Sequence, residues 1–198
     1  RGTGIELSRF LRDAVPVFDN VAGFADPSAD VQTFLYDRLA NLLREQGWTA
    51  QEVDAVLTQG PEILADVPRR LEAVRAFAAL PEANALAAAN KRVGNILRKS
   101  EGVKDGRGFD AKLLVEPAEI ALSQALGAVA PQVQQLDAAG DYTAALKALA
   151  ALKAPVDAFF EQVMVNADDP ALRANRLALL AWLQSAMNQV ADLSRLAA

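Results

Sequence analysis

The side chains able to do chemistry in this chain are arginines, lysines, carboxylates and carboxamides, because its 198 residues include no histidine and no cysteine. Without cysteine there are no disulfides, thiolate metal ligands or thiol nucleophiles. Without histidine there is no Ser-His-Asp triad, no imidazole ligation of a metal and no imidazole acid or base. The remaining carboxylates do not fall into an acid/base, nucleophile or metal-ligating pattern. No catalytic residue and no metal site is therefore expected. What is left is recognition: cations and carboxamides that meet phosphates, base edges or carboxylates.

Two stretches concentrate such groups. The first is the last long apolar-periodic run, Asp168 to Leu193. Asp169 is placed to cap a helix whose first position is Pro170, where a missing N–H costs nothing. Leu172, Leu179, Leu183, Ala186, Val190 and Leu193 recur at helical spacing, and Leu180, Trp182 and Met187 widen that stripe. At 3.6 residues per turn Arg176 falls near the middle of this apolar face, with Arg173 at its edge. A structural reading makes Arg176 a partly buried cation satisfied by a carboxylate on the neighbouring helix. A functional reading makes it face a cleft and meet a phosphate or a base. Counting turns back from the short link Asn166 to Asp169 brings Phe160 and Asp157 of the antiparallel partner towards the levels of Arg176 and Leu179. Asp157 flanks its own helix's apolar stripe and can reach inward. An Arg176–Asp157 ion pair is expected, with Glu161 as second choice.

The second stretch is PEANALAAANKRVGNILRK, Pro81 to Lys99. Leu86, Ala89, Val93, Ile96 and Leu97 form its inward stripe. The opposite face carries Lys91, Arg92, Asn95, Arg98 and Lys99 beside Ala87 and Ala88, donors suited to phosphate next to residues small enough for close approach. Cations near a helix C-terminus also complement the macrodipole and need no ligand. Both readings stand at this level.

The elements that must position these groups are helices. With 52% hydrophobic residues and 23% charged, the chain can bury a substantial core, and many of its apolar residues are alanine. Glycine and proline fall mostly at boundaries and no β-type alternation appears. The expected fold is all-α: a helical body, residues 1–105, followed by an antiparallel helical bundle, residues 106–198. The boundary falls in SEGVKDGRGFD, Ser100 to Asp110, where Gly106-Arg107-Gly108 is too short and isolated to be a phosphate loop. The chain begins at Arg1, which reads as a fragment or a processed product. No signal peptide and no apolar span of about 20 residues is seen, so a cytoplasmic chain without a membrane contact is expected. A net charge of −5 argues against sequence-blind nucleic-acid binding but not against a local basic patch.

In order, Glu6 to Asp19 reads as a helix disturbed by Pro16, and Asn20 to Ala29 as a connector. Asp30 is read as the cap of a helix that Gly47 ends. Thr49-Ala50-Gln51-Glu52 is a capping box for a short helix ending near Gly60. Pro61 to Leu80 reads as two pieces or one broken helix. Glu116-Pro117 starts a helix over Ala118 to Ala130, with a continuation from Pro131 to Ala139 and Gly140 closing it. Asp141 begins a long helix bent at Pro155. The C-terminal part is then a short-loop bundle of about four helices.

Three stretches, FLYDRLANLLREQGW (Phe34 to Trp48), AAANKRVGNILRK (Ala87 to Lys99) and VDAFFEQVMVNADDPALRANRLALL (Val156 to Leu180), resemble the C-terminal part of the β-subunit of bacterial two-subunit (α2β2) glycyl-tRNA synthetase. The last is similar to the DALR-type anticodon-binding domains. Here the namesake tetrapeptide reads Asp169-Pro170-Ala171-Leu172-Arg173, with a proline inserted that suits the first helical turn. The resemblance implies a DALR-like helical bundle that binds glycine tRNA at its anticodon. It places glycine activation, with ATP and Mg, on the α-subunit and leaves no cofactor for this chain. The α-subunit and the rest of the β-subunit would be its protein partners. A hydrolase-like metal site of the family's β-subunit cannot lie in a chain without histidine. Glycine anticodons share two cytosines, whose N4 amines donate, so a carboxylate is as good a reader as a cation. The candidate tRNA contacts are Arg173 and Asn175, with Lys91, Arg92, Asn95, Arg98 and Lys99 on the backbone. The alternative is a non-catalytic scaffold that binds a protein partner through the alanine-lined face of Ala83 to Lys99.

Overall fold

The computed structural model describes residues 4, 6–18, 20–100 and 108–197. No β-strand occurs among the described residues, and a single antiparallel bridge joins Glu6 to Ile63. The all-α expectation holds. The boundary placed at 105/106, and Gly106-Arg107 with it, lies outside the described residues.

Helix α1 (Leu7–Ala14) gives way to a 3-10 turn over Val15–Phe18, the disturbance expected of Pro16. Helix α2 (Ser28–Glu45) starts two residues before Asp30, the residue read as its cap. Asp26 accepts from the Ser28 backbone N–H at 2.9 Å, and Asp30 sits in the first turn, where its charge suits the helix dipole. Gly47, at φ +93°, ends the helix, and the Trp48 N–H returns to the Leu43 carbonyl at 3.2 Å. The capping box is formed as read: Glu52 N–H donates to Thr49 Oγ1 at 3.2 Å and Thr49 N–H to Glu52 at 2.8 Å. It opens α3 (Ala50–Leu57). A 3-10 turn over Leu64–Asp66 leads into α4 (Val67–Ala78), so the Pro61–Leu80 stretch is indeed broken. Helix α5 (Ala83–Lys99) follows.

Helix α6 (Pro117–Ala138) runs unbroken through Pro131. Pro131 and Gly127, whose carbonyl loses its helical donor, are both solvent-exposed, so water can take the donor's place and the helix need not stop. The long helix expected from Asp141 is instead α7 (Tyr142–Ala148), a 3-10 segment Leu149–Leu152, and α8 (Lys153–Gln162). Pro155 does not bend it. The proline sits in the first turn of α8, and the clash of its ring with the preceding turn moves the break upstream. Asp169 caps α9 (Pro170–Met187), accepting from Ala171 and Leu172 N–H at 2.7 and 3.3 Å. That helix ends at Met187, short of the expected Leu193. Val190, Ala191 and Leu193 are still buried, but in a tail that closes with a 3-10 turn over Leu193–Leu196.

The core runs without interruption from Leu43 to Leu193. Its centre is α9, in which residues 175–180 are all buried. A helix wrapped on every side holds its polar residues only if each finds a partner. The C-terminal tail packs on α5 and α3, and α5 packs on α9 and α8.

Candidate nucleic-acid interface

Two of the polar residues singled out on α9 are structural. Arg176 is 5% exposed. Its Nε donates to Glu119 Oε1 at 2.6 Å and its Nη1 to the Met164 carbonyl at 2.8 Å. The expected partner Asp157 instead accepts from Lys153, one turn away on its own helix, at 2.6 Å, and Glu161 is exposed. The reason is the neighbour chosen. The carboxylate in reach belongs to α6, where Glu119 closes a capping box by accepting the Val115 and Glu116 N–H at 3.0 and 2.8 Å. Burial pushes the Glu119 carboxyl up. The Arg176 guanidinium and the two backbone N–H groups outweigh it and hold the carboxyl below its ordinary value.

Asn175, read as a base contact, is 5% exposed. Its Oδ1 accepts the Asp110 N–H at 2.6 Å and its Nδ2 donates to the Asp110 carbonyl at 3.1 Å. A carboxamide has one donor edge and one acceptor edge, so it pairs with a peptide as another peptide would. The clamp draws the segment before α6 onto α9, where Phe109 stacks on Trp182 with centroids 5.4 Å apart. Asn175 is thus withdrawn from any base. Arg173 is exposed on the first turns of α9, next to the Asp169 cap.

The basic face of α5 is formed as read, with one exception. Lys91, Arg92, Asn95, Arg98 and Lys99 are exposed together with Ala88, whereas Ala87 is 1% exposed and faces the core. Ala83 is buried as well. The alanine-lined surface of the scaffold alternative is therefore largely occupied from inside. Arg92 lies over the Phe160 ring of α8, 4.1 Å from its centroid, and Arg98 donates to the Asn95 side-chain oxygen. No ion pair among the described residues engages Lys91 or Lys99. The helix ends with Ser100 Oγ donating to the Ile96 carbonyl at 2.9 Å, and Arg98 and Lys99 complement the dipole of the last turn. A shallow groove of about 310 Å³ runs along Lys91, Arg92, Asn95 and Lys99.

Two features had no counterpart in the sequence reading. A second groove, about 530 Å³, lies on the other flank of α5, between Lys91, Asn95 and Arg98 on one wall and Gln184, Asp192 and Arg195 on the other. A wider cleft of about 930 Å³ is lined by Asp66, Arg69, Arg70, Asp137 and Tyr142. Most of the charges there are paired, although Arg70 Nε and Asp137 Oδ1 are buried without a hydrogen bond among the described residues. Arg70 Nη1 donates to the Val190 carbonyl at 2.8 Å, Arg69 pairs with Asp66 at 3.3 Å, and both guanidinium groups lie over the Tyr142 ring. The phenol donates to Asp66 at 3.0 Å, and burial pushes its pKa up. This cleft ties α4 to the C-terminal tail and offers an anion little that is free.

A family model described as DALR anticodon binding domain matches residues 86–194. The Glycine--tRNA ligase beta subunit of Methylobacillus flagellatus is 59% identical over 197 residues, 100% of this chain and 28% of that protein. That of Leptothrix cholodnii is 61% identical over 194 residues, 98% of this chain and 27% of that protein. That of Janthinobacterium sp. is 64% identical over 174 residues, 88% of this chain and 25% of that protein. The chain spans little more than a quarter of the length of these curated relatives.

Proposed function

The chain belongs to the DALR anticodon binding domain family, and on that premise we propose that it is the tRNA-binding, anticodon-recognising part of a glycine–tRNA ligase β-subunit. The observation that carries this reading is the family match over residues 86–194, which takes in the exposed basic face of α5 from Lys91 to Lys99. Glycine would be attached to its tRNA in an ATP-dependent reaction whose chemistry, with ATP and Mg, lies on the α-subunit. This chain would supply binding energy and choice of tRNA, in the cytoplasm, joined to the remainder of its own subunit. No described helix is long and apolar enough to cross a membrane.

Lys91, Arg98 and Lys99 suit RNA phosphates, and Arg173 stands ready at the start of α9. Arg92 joins them with its guanidinium over the Phe160 ring. A chain with net charge −5 repels RNA overall, so attraction must come from this local face and must be salt-sensitive. The test is a titration of transcribed glycine tRNA against a version with both anticodon cytosines replaced. Tighter binding of the natural tRNA is expected, with no glycyl-adenylate formed by the chain alone. Equal affinity for the two RNAs would place recognition elsewhere in the subunit.

A further inference from the structure

We infer that the groove between α5 and the C-terminal tail is the pocket for one unstacked nucleotide, with Gln184 reading its base edge. This rests on the tRNA-binding reading above and adds to it a location and a reader. The groove is built from the two ends of the matched stretch: α5 near its start and the turn Leu193–Leu196 at its close.

The tail wall is held in place rather than left to fray. Asn90, fully buried in α5, donates to Asn188 Oδ1 at 2.6 Å, and the Leu193 N–H donates to the same oxygen at 3.2 Å. Asp192 N–H donates to the Ala55 carbonyl at 2.7 Å, while the Asp192 carboxylate accepts from Ser194 and Arg195. Its charge is thereby committed to the wall. Lys91 and Arg98 line the opening opposite Arg195, whose guanidinium pairs with Asp192 at 3.3 Å. Three cations against one carboxylate leave the rim net positive on an acidic chain.

Gln184 projects from α9 between these walls, half-buried, over Gly94. A β-carbon at position 94 would stand 3.0 Å from Gln184 Nε2, so the glycine leaves room for the carboxamide to approach α5. Neither amide atom is engaged by another described group, unlike those of Asn175. A free carboxamide offers a donor and an acceptor side by side, which matches the N4 amine and N3 of a cytosine Watson–Crick edge. A volume of about 530 Å³ admits a nucleotide, and the rim cations are placed for its phosphates.

Fluorescence anisotropy of the 198-residue chain with a glycine anticodon stem-loop, and with the same RNA lacking both cytosines, tests this. Gln184→Ala and Gln184→Met should each cut the preference for the cytosine-containing RNA about tenfold, leaving affinity for the substituted RNA unchanged. Methionine keeps the side-chain length over Gly94, so agreement of the two variants separates reading from packing. Lys91→Glu and Arg195→Glu should weaken both RNAs alike and lower the salt dependence by about one counterion each. A preference that survives both Gln184 variants overturns the proposal. So do charge reversals that leave RNA affinity intact, which would give the groove to another ligand such as an acidic protein segment. A wild-type chain that cannot tell the two RNAs apart overturns the anticodon reading itself, and that result is seen before any variant is made.

Discussion

Helices α2 and α9 have 18 residues each, yet α2 buries only Leu43 while α9 buries nine residues. Both carry leucines at helical spacing, so pattern alone does not separate them. Position does. Helix α9 is packed between α5, α6 and the segment before α6, whereas among the described residues α2 packs mainly on α1 and α3, with Tyr36 donating to the Pro61 carbonyl at 3.2 Å. Phe34 and Leu42 remain 56% and 50% exposed. An amphipathic face states that a helix can be buried; the number of elements folded over it decides how much of it is. The consequence is energetic. Helix α9 should open only with the whole molecule, and α2 should belong to the low-stability end of the structure.

The largest effect that would break this comparison lies under α9. Glu119→Ala strands the buried Arg176 guanidinium and uncaps α6, and should cost about 3–5 kcal/mol by urea denaturation. Arg176→Met should be milder, because Glu119 keeps its two backbone donors and methionine suits the surroundings. The pair also has a pH signature. Its carboxyl is held below the ordinary 4.5, so its contribution is complete above that value and fades as pH falls through the depressed folded-state pKa. Wild-type stability should therefore drop on acidification below about pH 4.5 more steeply than that of Glu119→Gln. Parallel acid limbs for the two proteins would show that Glu119 is not the group responsible.

Next in size is Leu183→Ala, at a side chain with no exposure. The lost burial and the cavity left behind should cost about 2–5 kcal/mol. Thr49→Ala should follow, at about 1 kcal/mol, since it removes one of the two bonds of the α3 capping box. A loss of stability at Thr49 larger than at Leu183 would invert the ranking that burial implies.

Much of the scaffold was legible because its signals are local. Thr49-x-x-Glu52, Asp169-Pro170 and Gly47 each act on backbone groups within one turn, so residue type and spacing suffice. The contacts that residue type and spacing do not reveal at the site are made over long sequence separations. The helical wheel shows Arg176 to be a cation needing a carboxylate, but sequence order points only to the neighbouring helix that carries Asp157. The real one, Glu119, lies 57 residues away on α6. Asn175 looked like a free reader because nothing in a helical wheel reveals that Asp110 will come to rest on it. On α5, the basic face was readable from periodicity, yet its facing wall was not. Gln184 meets it because α9 packs across α5, and Arg195 joins only after the tail leaves the helical path at Met187 and folds back. The one available signal was Gly94, a glycine in the middle of an alanine-rich helix, which marks a close approach.

The smallest expected effect gives the comparison its sharpest edge. Leu42 occupies a helical apolar stripe just as Leu183 does, and from sequence the two are equivalent. Because Leu42 is half exposed, truncating it removes little area from water and opens no cavity. Leu42→Ala should change stability by no more than about 0.5 kcal/mol. Alanine's higher helix propensity offsets part of even that loss. Hydrogen exchange provides a second reading of the same point: amides of α2 should exchange well before those of α9, and Leu42→Ala should leave that order unchanged. A cost of 2 kcal/mol or more in the isolated chain would mean that α2 finds a partner surface in solution, through self-association or a rearranged N-terminal region. Its concentration dependence would then tell those two apart, since only association weakens on dilution.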